Sequence, residues 1–194
     1  MAASTASSAA PAAGPTRVLC LGNDLVADDA LGVVAARWLC RRLAGLGAPL
    51  PPGPAFDPAA TVRAFRHPRA GTVEVVETAL TGMYLLEAVV GAARLIVVDT
   101  VVTGASPPGT VAVLAEGDFA GPSGGSPHYV GLFETLELAR GLGLPAPEEV
   151  VVVAVEAEDY LTVGGRMTAS VGAAVPAVVE QVLALLQGEA APVA

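Results

Sequence analysis

The chain contains no lysine. That excludes a Schiff-base lysine, a phosphate-loop lysine and a lysine general base. Basic charge is scarce throughout: ten arginines face nineteen acids, for a net charge of −9. Nucleic acid is therefore not an expected partner, because phosphate neutralisation needs basic surface. Cysteine occurs only at Cys20 and Cys40. Two are too few for a disulfide framework, and Cys20 lies in a strand pattern, so both read as buried free thiols of a cytoplasmic protein. Long uncharged apolar runs are also missing, although mean hydropathy is +0.61. The longest candidate, 83–102, is broken by Glu87, Arg94 and Asp99, so no segment reads as a membrane span and no membrane partner is expected. Residues 1–15 are mostly Ala, Ser, Pro and Thr without a basic start, which makes a poor signal peptide and reads as a disordered tail.

What is present is enough apolar sequence for one full core. The 194 residues predict a single domain over 16–190. Its organising stretch is Val18 to Gly32, VLCLGNDLVADDALG. An apolar strand breaks at Gly22-Asn23, a loop delivers the pair Asp28-Asp29, and a helical apolar pattern follows. Acids suit a helix start because the first N–H groups are unpaired and the dipole is positive there. Asp28 as a cap and Asp29 as a first-turn acid is thus one reading of the pair, and a functional role is the other. Asn23 is the chain's only asparagine.

Further along, 17–21 reads as strand one and 29–43 as helix one. The stretch 45–70 is rich in proline and glycine and reads as a long surface loop holding a solvated His67. Strand two is expected at 72–76, a helix at 82–90 with Met83, Leu85, Leu86, Val89 and Val90 buried, and strand three at 95–98, ended by Asp99. The turn TGASPPG is too short for a crossover helix. Strand four, 110–114, is therefore expected antiparallel to strand three or at the sheet edge. Loop follows at 121–127, helix at 129–140, strand five at 149–155 and a closing helix at 170–186 that contains Pro176. Strands alternating with helices predict a three-layer α/β/α fold with a mostly parallel sheet. Such sheets bind ligands beyond the carboxyl ends of their strands.

That rule selects Asp28, Asp29 and Asp99, with His128 in Ser-Pro-His just before a helix. Singly, each is an ordinary cap or packed residue. Together they offer hard oxygens and one imidazole nitrogen, a set suited to a divalent ion such as Ni²⁺, Mn²⁺ or Zn²⁺ with open coordination positions. Competing chemistries lack their residues. A dinucleotide fingerprint needs more glycines than Gly22 alone in CLGNDL. A phospho-acceptor receiver needs a lysine. No G-x-S-x-G elbow occurs, and no Cys–His pair is evident.

In order along the chain, Gly22, Asn23, Leu25, Asp28, Asp29 and Gly32 resemble the opening motif of the hydrogenase maturation peptidases, which process the large subunit of [NiFe] hydrogenases. LIVVD ending at Asp99, then Pro108, Gly109 and Thr110, then Ser126, Pro127, His128, Gly131 and Leu132 resemble its later motifs. The resemblance implies a five-stranded mixed sheet with strand four antiparallel. It implies that Asp29, Asp99 and His128 contact the metal and carry the catalysis. It implies one cut that removes a C-terminal extension from the nickel-loaded large-subunit precursor, with Ni²⁺ supplied by the substrate and no permanently bound metal. Gly22, Asn23, Asp28 and Glu77 are then expected to line the substrate cleft. Two positions depart from the pattern: Cys20 replaces the first glycine, and Glu77-Thr78-Ala79-Leu80 replaces a glycine-rich segment. The second departure also fits a non-catalytic module that binds a metalloprotein precursor without cutting. A nucleotide- or cofactor-binding α/β domain is a third, weaker reading.

Overall fold

The computed structural model describes residues 14–47, 49–51, 60–119 and 129–189. The chain runs β1 (Thr16–Leu21), a 3₁₀ turn (Asp28–Ala30), α1 (Leu31–Ala44), β2 (Pro49–Leu50), β3 (Thr61–His67) and β4 (Gly71–Thr78). A second 3₁₀ turn (Gly82–Leu85) leads into α2 (Leu86–Val89). Then come β5 (Arg94–Val101), β6 (Val111–Ala115), α3 (Tyr129–Gly141), β7 (Glu149–Glu156) and α4 (Ala169–Leu186).

The strands form one sheet in the order β2-β3-β4-β1-β5-β7-β6. β4, β1, β5 and β7 run parallel at its centre, and β3 and β6 run against them. Side-chain alternation along each central strand feeds two cores. Val18, Cys20, Ile96, Val98, Val151 and Val153 pack under α1 and α4. Leu19, Leu21, Leu95, Val97, Val150 and Val152 pack under α2 and α3. Burial on both faces is why these strands read as continuous apolar runs. The three-layer α/β expectation holds, and the inner strands and α1, α3 and α4 fall where the sequence predicts them, within a few residues.

Several expectations need correction. The sheet has seven strands rather than five, because β2 and β3 lie inside the stretch read as loop. Thr61–His67 pairs residue by residue with Gly71–Glu77 of β4, and Ala64 and Phe65 are buried. His67 is not solvated. It is 4% exposed, and its Nδ1 accepts the N–H groups of Ala70 (3.0 Å) and Arg69 (3.3 Å) at the hairpin turn. β6 is at the sheet edge as expected, but its antiparallel partner is β7, which has inserted between β6 and β5. Met83 is exposed, because the first turn after β4 is 3₁₀ and places Leu85, Ala88 and Val89 inward instead. α4 is long and apolar enough to cross a membrane by length and composition, at a hydropathy of 1.8, but half of it is buried in the fold. Its apolarity is core apolarity: Val171, Val175, Val178 and Val182 all face the sheet side. The expected tail up to residue 13, the middle of the Pro-rich stretch (52–59) and the loop at 121–127 lie outside the described residues.

Candidate functional site

The opening motif is built around two glycines that let backbone meet backbone. Gly22 has φ of +152°, and a Cβ there would stand 2.1 Å from the Asp29 carbonyl oxygen. A Cβ on Gly32 would stand 1.8 Å from the Leu21 carbonyl oxygen. The first turn of α1 therefore rests directly on the end of β1, and the loop between them folds back on itself. The Asn23 N–H donates to the Asp29 carbonyl (3.2 Å), and the Val26 N–H to the Asn23 carbonyl (3.0 Å). The Asn23 side chain accepts the Leu25 N–H (3.0 Å). Asparagine is well suited to such a turn because its short amide reaches its own backbone two residues on.

This loop sets the two acids in different surroundings. Asp28 is fully buried. Its Oδ2 accepts the N–H groups of Asp159 (2.8 Å) and Glu158 (2.9 Å) and the Thr168 hydroxyl (3.1 Å), and its Oδ1 accepts the Thr168 N–H (2.7 Å). It makes no cap to either helix start, nor does it line a cleft. Both expectations for Asp28 are thus replaced by a third role, a clamp on the loop between β7 and α4. Asp29 is half-buried in a turn that packs against β5.

Asp99 lies on that same strand. It is fully buried, and its Oδ1 accepts the following N–H of Thr100 (2.8 Å). It does not end the strand, because β5 continues beside β7 to the Val101–Glu156 pair. β1, however, pairs with β5 only as far as Cys20–Val98. The chain of β1 turns away at Gly22, so Asp99 stands just beyond the last rung on that side. Alternation puts it on the face of Leu95 and Val97, toward α2 and α3. The turn that carries Asp29 thus packs on the strand that carries Asp99.

His128 lies outside the described residues, just ahead of α3. The start of α3 is fixed by another close approach: a Cβ on Gly131 would stand 2.4 Å from the Gly82 Cα. The Thr135 hydroxyl donates to the Gly82 carbonyl (3.1 Å). This anchors the beginning of α3 beside the carboxyl end of β4. Among the described residues no three His, Cys, Asp or Glu side chains are grouped as a metal ion would require.

A cleft of about 150 Å³ is lined by Gly22, Asn23, Asp24, Val33, Thr61, Glu77, Thr78 and Ala79, and neither Asp29 nor Asp99 is among its lining residues. Glu77 is paired with Arg37 (3.3 Å) and Arg63 (3.5 Å), and Arg37 also reaches Asp24 (3.5 Å). Arg37 and Arg63 escaped the sequence reading because they come from α1 and from β3, the strand taken for loop. A second acid, Glu156, is buried and accepts the N–H groups of Thr103 and Gly104 (2.7 Å each) and the Thr103 hydroxyl (2.6 Å). Burial raises the pKa of both thiols, that of Cys40 against the opposing pull of Arg63. Neither is poised as a nucleophile.

This order of loops and acids has relatives. The family model described as hydrogenase maturation protease (HycI) matches residues 61–185. The chain belongs to the hydrogenase maturation protease family. Within the family's reach, it is 33% identical over 125 residues to the hydrogenase expression/formation protein HoxM of Cupriavidus necator. That match takes in 63% of this chain and 61% of HoxM, so the chain spans about three-fifths of that relative's length. The hydrogenase maturating endopeptidase HybD of E. coli superposes with a TM-score of 0.66 at 27% identity, covering 90% of this chain and 93% of HybD. A [NiFe] hydrogenase maturation protease HybD from Thermococcus kodakarensis shares the fold, with a TM-score of 0.60 at 21% identity over 89% of this chain and 99% of its own. Residues 18–32 lie ahead of the matched family stretch, and the close backbone contacts at Gly22 and Gly32 require glycine at both positions.

Proposed function

We propose that this chain is an endopeptidase that removes a C-terminal extension from the nickel-loaded large-subunit precursor of a [NiFe] hydrogenase. Membership of the maturation protease family supports the reaction class. The observation that supports the residue assignment is that the Asp29 turn packs on β5, the strand on which Asp99 stands just past the point where β1 leaves it. In this reading Asp29, Asp99 and His128 add ligands to the nickel ion that the substrate brings, and the protein holds no resident metal. Carboxylate oxygens and an imidazole match such an ion. The ion supplies the polarisation of the scissile carbonyl or of a water. The chain's own residues orient the substrate. Glu77, held by Arg37 and Arg63, keeps a charged wall on the neighbouring cleft, with Gly22 and Asn23 as its floor. Two free thiols suit a reducing compartment, and we assign the cytoplasm on that ground.

Incubation with the nickel-loaded precursor is expected to shorten the large subunit. Asp29→Ala, Asp99→Ala and His128→Ala are each expected to slow the cut by at least about a hundredfold, the usual worth of a lost acid–base or ligand group. Precursor left intact by the wild-type protein would overturn the reading.

One observation favours a second reading. Where the family pattern is glycine-rich, Glu77, Thr78, Ala79 and Leu80 bring side chains, and Glu77 and Thr78 face the cleft. A module that docks a metalloprotein precursor without cutting it would bind the precursor and leave its length unchanged.

A further inference from the structure

Residues 157–168 join β7 to α4 without a helix, and loops of this length usually have a function. They are laced to the loop that carries Asp29. The Gly164 N–H donates to the Leu25 carbonyl (2.7 Å), the Ala27 N–H to the Thr162 carbonyl (3.0 Å), and Val26 pairs with Val163 as an antiparallel bridge. Asp28 locks the strap from inside, as described above. Asp159 then folds the tip, its Oδ1 accepting the N–H groups of Thr162 (3.0 Å) and Leu161 (3.2 Å).

So ordered a strap presents aliphatic side chains to solvent. Leu161 is 73% exposed and Val163 76%, and Leu25 on the adjoining loop is 63% exposed. Apolar positions held outward within a polar rim mark a binding surface. The rim holds three acids, Asp24 and Glu158 exposed and Asp159 half-exposed, against two exposed cations, Arg166 and Arg37, the latter paired with Asp24 (3.5 Å), which leaves Glu158 and Asp159 on the strap side as its acidic face. This charge, within a chain of net −9, opposes a second copy of the protein and an anionic bilayer as the occupant. The patch also belongs to the segment that carries Asp29, which follows Leu25 by four residues.

We propose that Leu25, Leu161 and Val163 seat an apolar, basically flanked segment of the protein substrate and so align it with Asp29 and Asp99. The inference rests on the peptidase reading for its choice of occupant. Its test compares the wild-type chain with Leu161→Asp/Val163→Asp on the nickel-loaded large-subunit precursor. KM is expected to rise at least about tenfold, as when two aliphatic contacts are lost from a docked surface, with kcat and the melting temperature unchanged. Should the double variant melt early, Leu161→Ser/Val163→Ser replaces it. Wild-type KM in a folded variant overturns the seat and leaves the peptidase reading standing. If the wild-type chain does not cut, the peptidase reading falls, and equilibrium binding of the same precursor decides the seat. Weaker binding by the variant supports it, whereas equal or absent binding overturns it. Sedimentation showing a wild-type dimer that the variant lacks, or wild-type retention on phosphatidylcholine vesicles, also overturns it.

Discussion

Two acids near the carboxyl end of the sheet are tied up by the backbone of loops far along the chain or at the turn after β5. Asp28 accepts four bonds from the β7–α4 strap, and Glu156 accepts three from the turn after β5. Both are scaffolding acids. Asp28→Ala would leave three backbone N–H groups without their acceptor, at a cost of about 1–3 kcal/mol for each that stays buried. We expect a loss of about 3 kcal/mol or more, and a fall in Tm of at least about 6 °C for a chain of this size, measured by thermal unfolding. The sequence could not assign these roles. Adjacent residues on a 3₁₀ turn point about 120° apart, so one of Asp28 and Asp29 had to turn inward, but the acceptor's partners, Glu158, Asp159 and Thr168, lie far along the chain. The sequence shows Asp29 and Asp99 as acids near apolar runs, but not that β5 continues two residues past Asp99 beside β7, because that pairing depends on residues 154–156 far along the chain. His67 was misread because its neighbours, Pro68 and Arg69, look like loop while its ring closes a hairpin.

At the level of elements, the parallel core was readable wherever burial on two faces produced unbroken aliphatic runs, as in β5 and β7. β3 was hidden because TVRAFRH mixes two arginines into a short strand directly behind a proline-rich stretch. Such a strand, near the sheet edge with one face partly wet, has neither a continuous run nor a clean alternation. α4 was readable despite Pro176, which lies inside it on the exposed side. A proline there removes the N–H that would bond the Gly172 carbonyl. Pro176→Ala is expected to raise unfolding stability by at least about 1 kcal/mol, since the substitution restores a helical N–H and removes the ring clash of an interior proline. A denaturant midpoint that falls instead would overturn this expectation.

For the molecule as a whole, the buried imidazole of His67 links folding to pH. Burial lowers its pKa below the ordinary 6.5, and its Nδ1 must stay unprotonated to accept the Arg69 and Ala70 N–H groups. Below about pH 6.5 the unfolded chain binds the proton more readily than the folded one. Stability is therefore complete above that pH and declines as pH falls through the window toward the lowered folded value. Urea midpoints at pH 7.5 and 5.5 should show the decline. His67→Asn, whose Oδ1 can accept the same N–H groups, should flatten it. The comparison between the two proteins cancels the acids, which otherwise also respond to pH in a chain of net −9.

Among the described strands β6 pairs with one, and that one is made later. Val111–Ala115 forms its ladder with β7, which also covers the open edge of β5. During translation, a nascent chain that has not yet delivered residues 149–156 carries two bare sheet edges, the kind of surface that invites mispairing. Closure of the sheet thus waits for β7, and a chain halted before β7 emerges is expected to be a substrate for chaperones.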